Sequence, residues 1–189
     1  NLSNDNFVLA TCHRRENILN NDSFKNITSL LNSIDDRHVI FPMGYKTQEI
    51  LKNSDISLNK NIEIIDPIGY LEFMHLLKKS DFVATDSGTV VEEACILNVP
   101  SIQMRYSTER PEVYDVKASI KFDPTVNYAN ISEIIDDASK IKKGWKNPFG
   151  EGNSSEIIVN DLIELSNSDT FRRHMPSDYP FDTSRSFKE

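Results

Sequence analysis

Short apolar runs alternate with amphipathic stretches along this chain. Phe7 to Thr11, His38 to Phe41, Asn61 to Ile65, Phe82 to Thr85, Ser101 to Arg105 and Ser119 to Phe122 read as strands, several bounded by turn residues. Between them the apolar period lengthens to that of a helix. Asp22 is placed to cap a helix whose apolar positions are Phe24, Ile27, Leu30, Leu31 and Ile34. Lys46 to Lys52 reads as a short helix, and Tyr70 to Lys79 as a longer one with Leu71, Met74 and Leu77 on its apolar stripe. From Thr89 the residues favour helix, with neither Gly nor Pro before Pro100. Pro111 suits the first position of another helix, Ile131 to Ile141 is amphipathic, and Ser154 to Leu165 reads as a last helix. Strands alternating with helices at short intervals predict an α/β fold with a parallel sheet of about six strands, covered on both faces. The expected domain is 1–165. The polar stretch 166–189, with isolated Phe171, Tyr179 and Phe181, is expected to be disordered or to dock on something absent from the chain.

Composition narrows the function. With 21 Lys and Arg against 29 Asp and Glu, the net charge is −8, which argues against a general nucleic-acid or anionic-membrane binder. Any phosphate site must therefore be local. No apolar run approaches the ~18 residues of a membrane span. The first residues, Asn1 to Asp5, do not form a signal peptide and lack Met, as an excised fragment would. Two cysteines make no disulfide framework, so a cytoplasmic protein is expected. No spacing of His, Cys or carboxylates predicts a metal site, and no cofactor is expected.

The stretch around Thr85-Asp86-Ser87-Gly88-Thr89 carries the chemistry. A buried strand that turns through Ser-Gly into a helix leaves unpaired backbone N–H groups at the helix start. With the helix dipole they make an anion site, and Gly88 lets a phosphate approach the backbone. Glu93 follows Thr89 by four residues, so both face one side of the helix. A carboxylate there is an acceptor for the two hydroxyls of a ribose, or it is simply a dipole-favoured acid. Parallel sheets bind ligands outside the C-terminal ends of their strands, where His13, Ser87 and the loop from Arg105 to Arg110 all fall. Cys12 beside His13 invites a thiol–imidazole pair, but adjacent strand residues face opposite sides, so packing is the better reading for the thiol.

The pattern D-S-G-x-x-x-E-E from Asp86, then P-x-x-x-M-R from Pro100 and T-E-R-P-E from Thr108, resembles the C-terminal half of the UDP-N-acetylglucosamine 2-epimerase family. His13-Arg14-Arg15-Glu16-Asn17 and Asn147-Pro148-Phe149-Gly150-Glu151-Gly152 match that family's motifs in the right order. The likeness covers about residues 7 to 163. It implies a Rossmann-like doubly wound sheet, as in the C-terminal domain of a GT-B fold. It also implies reversible inversion at C2 of a UDP-linked 2-acetamido sugar, by elimination and re-addition of UDP, in polysaccharide biosynthesis. His13 is then expected to reach the phosphates and the reacting sugar, and Phe73 to stack on uracil; core packing is the plain alternative for Phe73. Ser87, Gly88 and Thr89 are expected at the phosphates and Glu93 at the ribose. Arg110, ahead of Pro111 where a capping residue is usual, is aimed at phosphate or paired with Glu112.

The acid and base carboxylates of the family lie mainly in an N-terminal domain, which is the expected missing partner. A homodimer is a matter for the full-length enzyme. Members often carry a second Gly where this chain has Thr89, and a His-containing segment where it has Met43-Gly44-Tyr45-Lys46. These departures leave open which sugar is used and whether the nucleotide sugar is hydrolysed. Two rival readings are the donor-binding domain of a GT-B glycosyltransferase and a non-catalytic nucleotide-sugar-binding subunit.

Overall fold

The computed structural model describes residues 6–168, and the expectations for the stretch with Phe171, Tyr179 and Phe181 lie outside them. Six parallel strands form one sheet: β1 (Phe7–Thr11), β2 (His38–Pro42), β3 (Ile62–Ile65), β4 (Val83–Thr85), β5 (Ser101–Met104) and β6 (Ser119–Phe122). Their order is β3-β2-β1-β4-β5-β6. The chain winds outward in one direction from β1 to β3, then returns to the middle and winds the other way. The reversal falls between β1 and β4, whose ladder aligns Leu9 with Val83, Ala10 with Ala84 and Thr11 with Thr85. Connections that diverge at this point leave an open crevice above the strand ends.

Alternate residues of the central strands serve two apolar layers. Val8, Ala10 and Cys12 pack with the helices α1 (Arg15–Ile18), α2 (Asn21–Asn32) and α7 (Ile131–Ser139) on one face. Phe7 and Leu9 pack with α4 (Tyr70–Lys79) and α5 (Gly88–Ile96) on the other. Every residue of β1 is buried, which is why its sequence is an apolar run and not an alternation. A third cluster joins Val91 and Cys95 of α5 to Val113 of α6 (Glu112–Asp115), and Trp145 Nε1 donates to the Cys95 carbonyl at 2.9 Å. The remaining helix of this unit is α3 (Tyr45–Lys52).

Two local expectations change. Asn20, not Asp22, caps α2, its side-chain oxygen accepting from the N–H groups of Asp22 and Ser23. In α4 the buried stripe is Leu77 with Phe73, Met74 and Leu76 against it, and Leu71 is 80% exposed. The helix is rotated because both Phe73 and Leu76 face the sheet. The chain divides into two compact units, 1–149 and 150–189. The second contains α8 (Ser154–Asn167), which has no buried side chain. Among the described residues no helix is long and apolar enough to cross a membrane.

Helices α5 and α6 end alike. A residue in the left-handed region follows each, Asn98 at φ 58° and Lys117 at φ 56°. The next N–H then reaches back five residues, from Val99 to the Ala94 carbonyl and from Ala118 to the Val113 carbonyl, both at 2.8 Å. Asn tolerates this backbone; a lysine does so at a cost. Lys117→Gly should therefore raise unfolding stability by about 0.5–1 kcal/mol, read from urea denaturation. An unchanged or lower midpoint would contradict this account.

Candidate functional site

The crevice between β1 and β4 is closed at its base by side chains. Thr11 and Thr85, ladder partners, share a buried hydroxyl–hydroxyl bond of 2.6 Å, and Thr85 Oγ1 also accepts from the Ser87 N–H at 3.0 Å. The next residue, Asp86, is fully buried. Its carboxylate accepts from the backbone N–H groups of His13 (3.1 Å) and Arg14 (2.9 Å) and from Asn17 Nδ2 (3.1 Å). The same Asn17 amide donates to the Met104 carbonyl at 3.1 Å, so the ends of β1, β4 and β5 are tied together. His13 Nδ1 lies 3.4 Å from Asp86 Oδ1, and its side chain is 61% exposed toward the crevice.

Ser87 caps α5, its Oγ accepting from Val90 N–H at 3.4 Å. The N–H groups of Gly88 and Thr89 thus begin the helix directly beside the His13 loop, and the dipole adds positive potential there. Beside this helix start opens a cleft of about 450 Å³. Pro42, Pro67, Ile68 and Phe73 give it apolar walls, and His13, Thr89 and Glu93 give it polar ones. Glu93 Oε1 accepts from the Tyr70 hydroxyl at 2.9 Å, and this carboxylate pushes the Tyr70 phenol up from its ordinary pKa. Gly44 also lines the cleft, and a Cβ built there would meet nothing within 4 Å. The segment that departs from the family pattern is thus split: Met43 is in the core and Gly44 is at the rim.

The expected residues do not all gather in the cleft. His13, Phe73, Thr89 and Glu93 line it, and Ser87 and Gly88 stand at the adjoining helix start. Phe73 also packs against the core. Arg110 is elsewhere: its Nε pairs with Glu92 Oε2 at 2.6 Å and its Nη1 donates to the Glu109 carbonyl. Its carboxylate partner is Glu92, not Glu112. Cys12 is buried, and burial first, then the Asp86 charge, pushes its thiol well up, so it is no thiolate nucleophile. Among the described residues no group of three or more His, Cys, Asp or Glu is placed to hold a metal ion.

Residues that the motifs contained but the reading did not single out complete the site. Asp86 and Asn17 belong here, as does an ion cluster in which Arg14 and Arg105 share Glu109, and Tyr70, outside the motifs, joins them through Glu93. An aspartate placed right after a buried strand was the one local signal for the first of these. The others depend on contacts between residues far apart in sequence.

The model of the family described as UDP-N-acetylglucosamine 2-epimerase matches residues 1–163. The UDP-N-acetylglucosamine 2-epimerase of Methanocaldococcus jannaschii is 41% identical over 165 residues, covering 84% of this chain and 44% of that protein. A crystal structure of the M. jannaschii enzyme in complex with UDP-GlcNAc and UDP superposes with a TM-score of 0.71 at 40% identity, over 85% of this chain and 45% of the other. A Pseudomonas aeruginosa protein named as a UDP-2,3-diacetamido-2,3-dideoxy-D-glucuronate 2-epimerase is 36% identical over 171 residues, 86% of this chain and 46% of its own length. The chain spans less than half the length of these relatives.

Removing the central carboxylate should be costly. Asp86→Ala leaves two backbone donors and the Asn17 amide without their buried acceptor, a loss of about 3 kcal/mol or more in unfolding free energy. Urea denaturation measures it; a loss below about 1 kcal/mol would mean that water replaces the carboxylate without strain.

Proposed function

The chain belongs to the UDP-N-acetylglucosamine 2-epimerase family, and from that premise we propose that it is the nucleotide-holding half of an enzyme that inverts C2 of a UDP-linked 2-acetamido sugar. The observation that carries this reading is the form of the cleft, which combines apolar walls, a carboxylate and an adjoining helix start. A uracil ring fits the apolar walls against Phe73. Glu93 then accepts from the ribose hydroxyls, exchanging its present bond to Tyr70. The diphosphate reaches the N–H groups of Gly88 and Thr89, with Ser87 and His13 beside them. A net charge of −8 makes such a local anion site necessary, because the chain as a whole repels phosphate.

Elimination across C1 and C2 expels UDP and gathers negative charge on the distal phosphate. Donors fixed in advance at the helix start stabilise that charge without reorganising. His13 adds a donor whose ring is set by the Asp86-bound loop. The same contacts keep UDP in place, so that it can add back to C1 on the face it left while a proton returns to C2 from the opposite face. The proton at C2 needs a positioned acid and base. We place those groups on the N-terminal half, which is the proposed partner of this chain. The sugar is a 2-acetamido hexose; Thr89 beside the phosphates and Gly44 at the rim set its surroundings. A cytoplasmic site and a role in polysaccharide biosynthesis follow from this reading.

Two measurements test the proposal. Glu93→Ala should weaken UDP binding about ten- to a hundredfold in titration calorimetry, the worth of a hydrogen bond to a charged group. A folded variant with unchanged affinity removes the ribose assignment. The 189-residue chain itself should bind UDP yet leave UDP-GlcNAc unchanged in D2O. Deuterium at C2, or a second UDP-N-acetylhexosamine in the proton NMR spectrum, would place the acid and base within these residues.

A further inference from the structure

Gly88 opens α5, and the space beside its Cα is filled. A Cβ built there would lie 2.7 Å from Glu109 Oε1 and 3.6 Å from Arg105 Nη1. Glu109 reaches this point from the loop after β5. Its Oε1 accepts from Arg14 Nη2 at 3.3 Å and its Oε2 from Arg105 Nη1 at 2.5 Å. The side chain of Arg105 is 11% exposed and that of Arg14 30%, whereas that of Glu109 is 48% exposed. Glu109 is held below the ordinary carboxyl range: burial pushes it up, and its backbone hydrogen bond and the Arg105 guanidinium outweigh this. A charged carboxylate therefore rests against the start of α5, bridging two arginines, and is itself the most exposed of the three side chains.

We infer that Glu109 is a resident anion that competes with the distal phosphate of the ligand, and so sets how strongly the site favours a diphosphate over a monophosphate. The inference rests on the nucleotide reading above. A phosphate that approaches Gly88 closely meets a like charge a few ångströms away, and the two cations nearest to it are already neutralised. Either the carboxylate swings out, breaking its pairs with Arg14 and Arg105, or the phosphate is held at the cost of that repulsion. In both cases the distal phosphate binds more weakly than the helix start alone would allow. Uridine carries no charge to this point, and UMP places its one phosphate nearer the ribose. The size of the effect is limited because Glu109 is half exposed and its pairs are partly screened by solvent.

Arg110, the remaining cation of the same loop, is committed to Glu92. Gly88 acquires a second reason to lack a side chain: a Cβ there would press on the Glu109 carboxylate.

The test is titration calorimetry of uridine, UMP and UDP with the full chain and with Glu109→Gln, which keeps size and removes charge. UDP should bind about two- to fivefold tighter to the variant, the range expected for a partly exposed charge pair. Uridine should bind equally to both forms, and the preference for UDP over UMP should rise. Glu109→Asp, which keeps the charge but shortens its reach, should fall between the two. If the chain binds uridine but UDP affinity is the same in all three forms, Glu109 is a bystander and the inference alone fails. Weaker UDP binding by Glu109→Gln would make Glu109 a support for the arginines, which also overturns it. If neither form binds any of the three ligands, the nucleotide reading falls and takes this inference with it.

Discussion

A carboxylate with no solvent exposure holds the strand ends of this fold in register. Asp86 is satisfied by neutral donors, two backbone N–H groups and one amide, together with the edge of an exposed imidazole. Burying a charge in this way is tolerable only when its lone pairs are matched. The donors come from the loop after β1 and from α1, more than sixty residues away in sequence. Each donor would otherwise be an orphan at the top of a strand or in the first turn of α1. The direction of the His13 side chain, the path of the Arg14 backbone and the link from Asn17 to β5 all follow from this one acceptor. At a crossover point neighbouring strands share no connecting loop, so some such tie is needed.

The cleft next to this tie separates two kinds of interaction. Its apolar walls are built from residues of α4 and the turns before it, its polar ones from the start of α5 and the loop after β1. On the proposed reading, a ligand with a flat ring, a hydroxylated centre and a charged tail meets each part in turn. Attraction is confined to a helix start within a chain of net negative charge, so it acts at short range. Selection among ligands then depends on fit along the whole cleft, not on steering from a distance.

The strands were legible because both faces of the sheet are covered, which turns each central strand into an unbroken apolar run. The parallel order and the position of the crevice followed from the alternation of elements. What the pattern could not settle was rotation about a helix axis where apolar residues stand on more than one side. Leu71, Phe73, Met74, Leu76 and Leu77 offer two overlapping stripes in α4, and tertiary packing chose the one without Leu71. Asn20 and Asp22 are both competent caps, and the choice depended on where the chain turns out of α1. At the site, the Ser-Gly turn and Glu93 were visible as local spacing. The bond from Arg110 to Glu92 was not, since eighteen residues separate them and a strand intervenes. Family motifs marked Asp86 and Glu109 without saying what they touch, because their partners are set by sheet order.

The two cysteines sit in different layers of this arrangement. Cys12 lies under the His13 loop within the layer formed by α1, α2 and α7, and Cys95 lies between α5 and α6. Both are free, and burial raises both thiols above their usual range. An alkylating reagent thus meets almost no thiolate until one layer opens. The molecule carries its own pair of clocks: the labelling rate of each sulfur reports the opening of its own side of the sheet, with no foreign probe introduced. Ligand that braces the loop after β1 would slow the Cys12 clock more than the Cys95 clock, so the two rates together would show which half of the sheet the site stiffens.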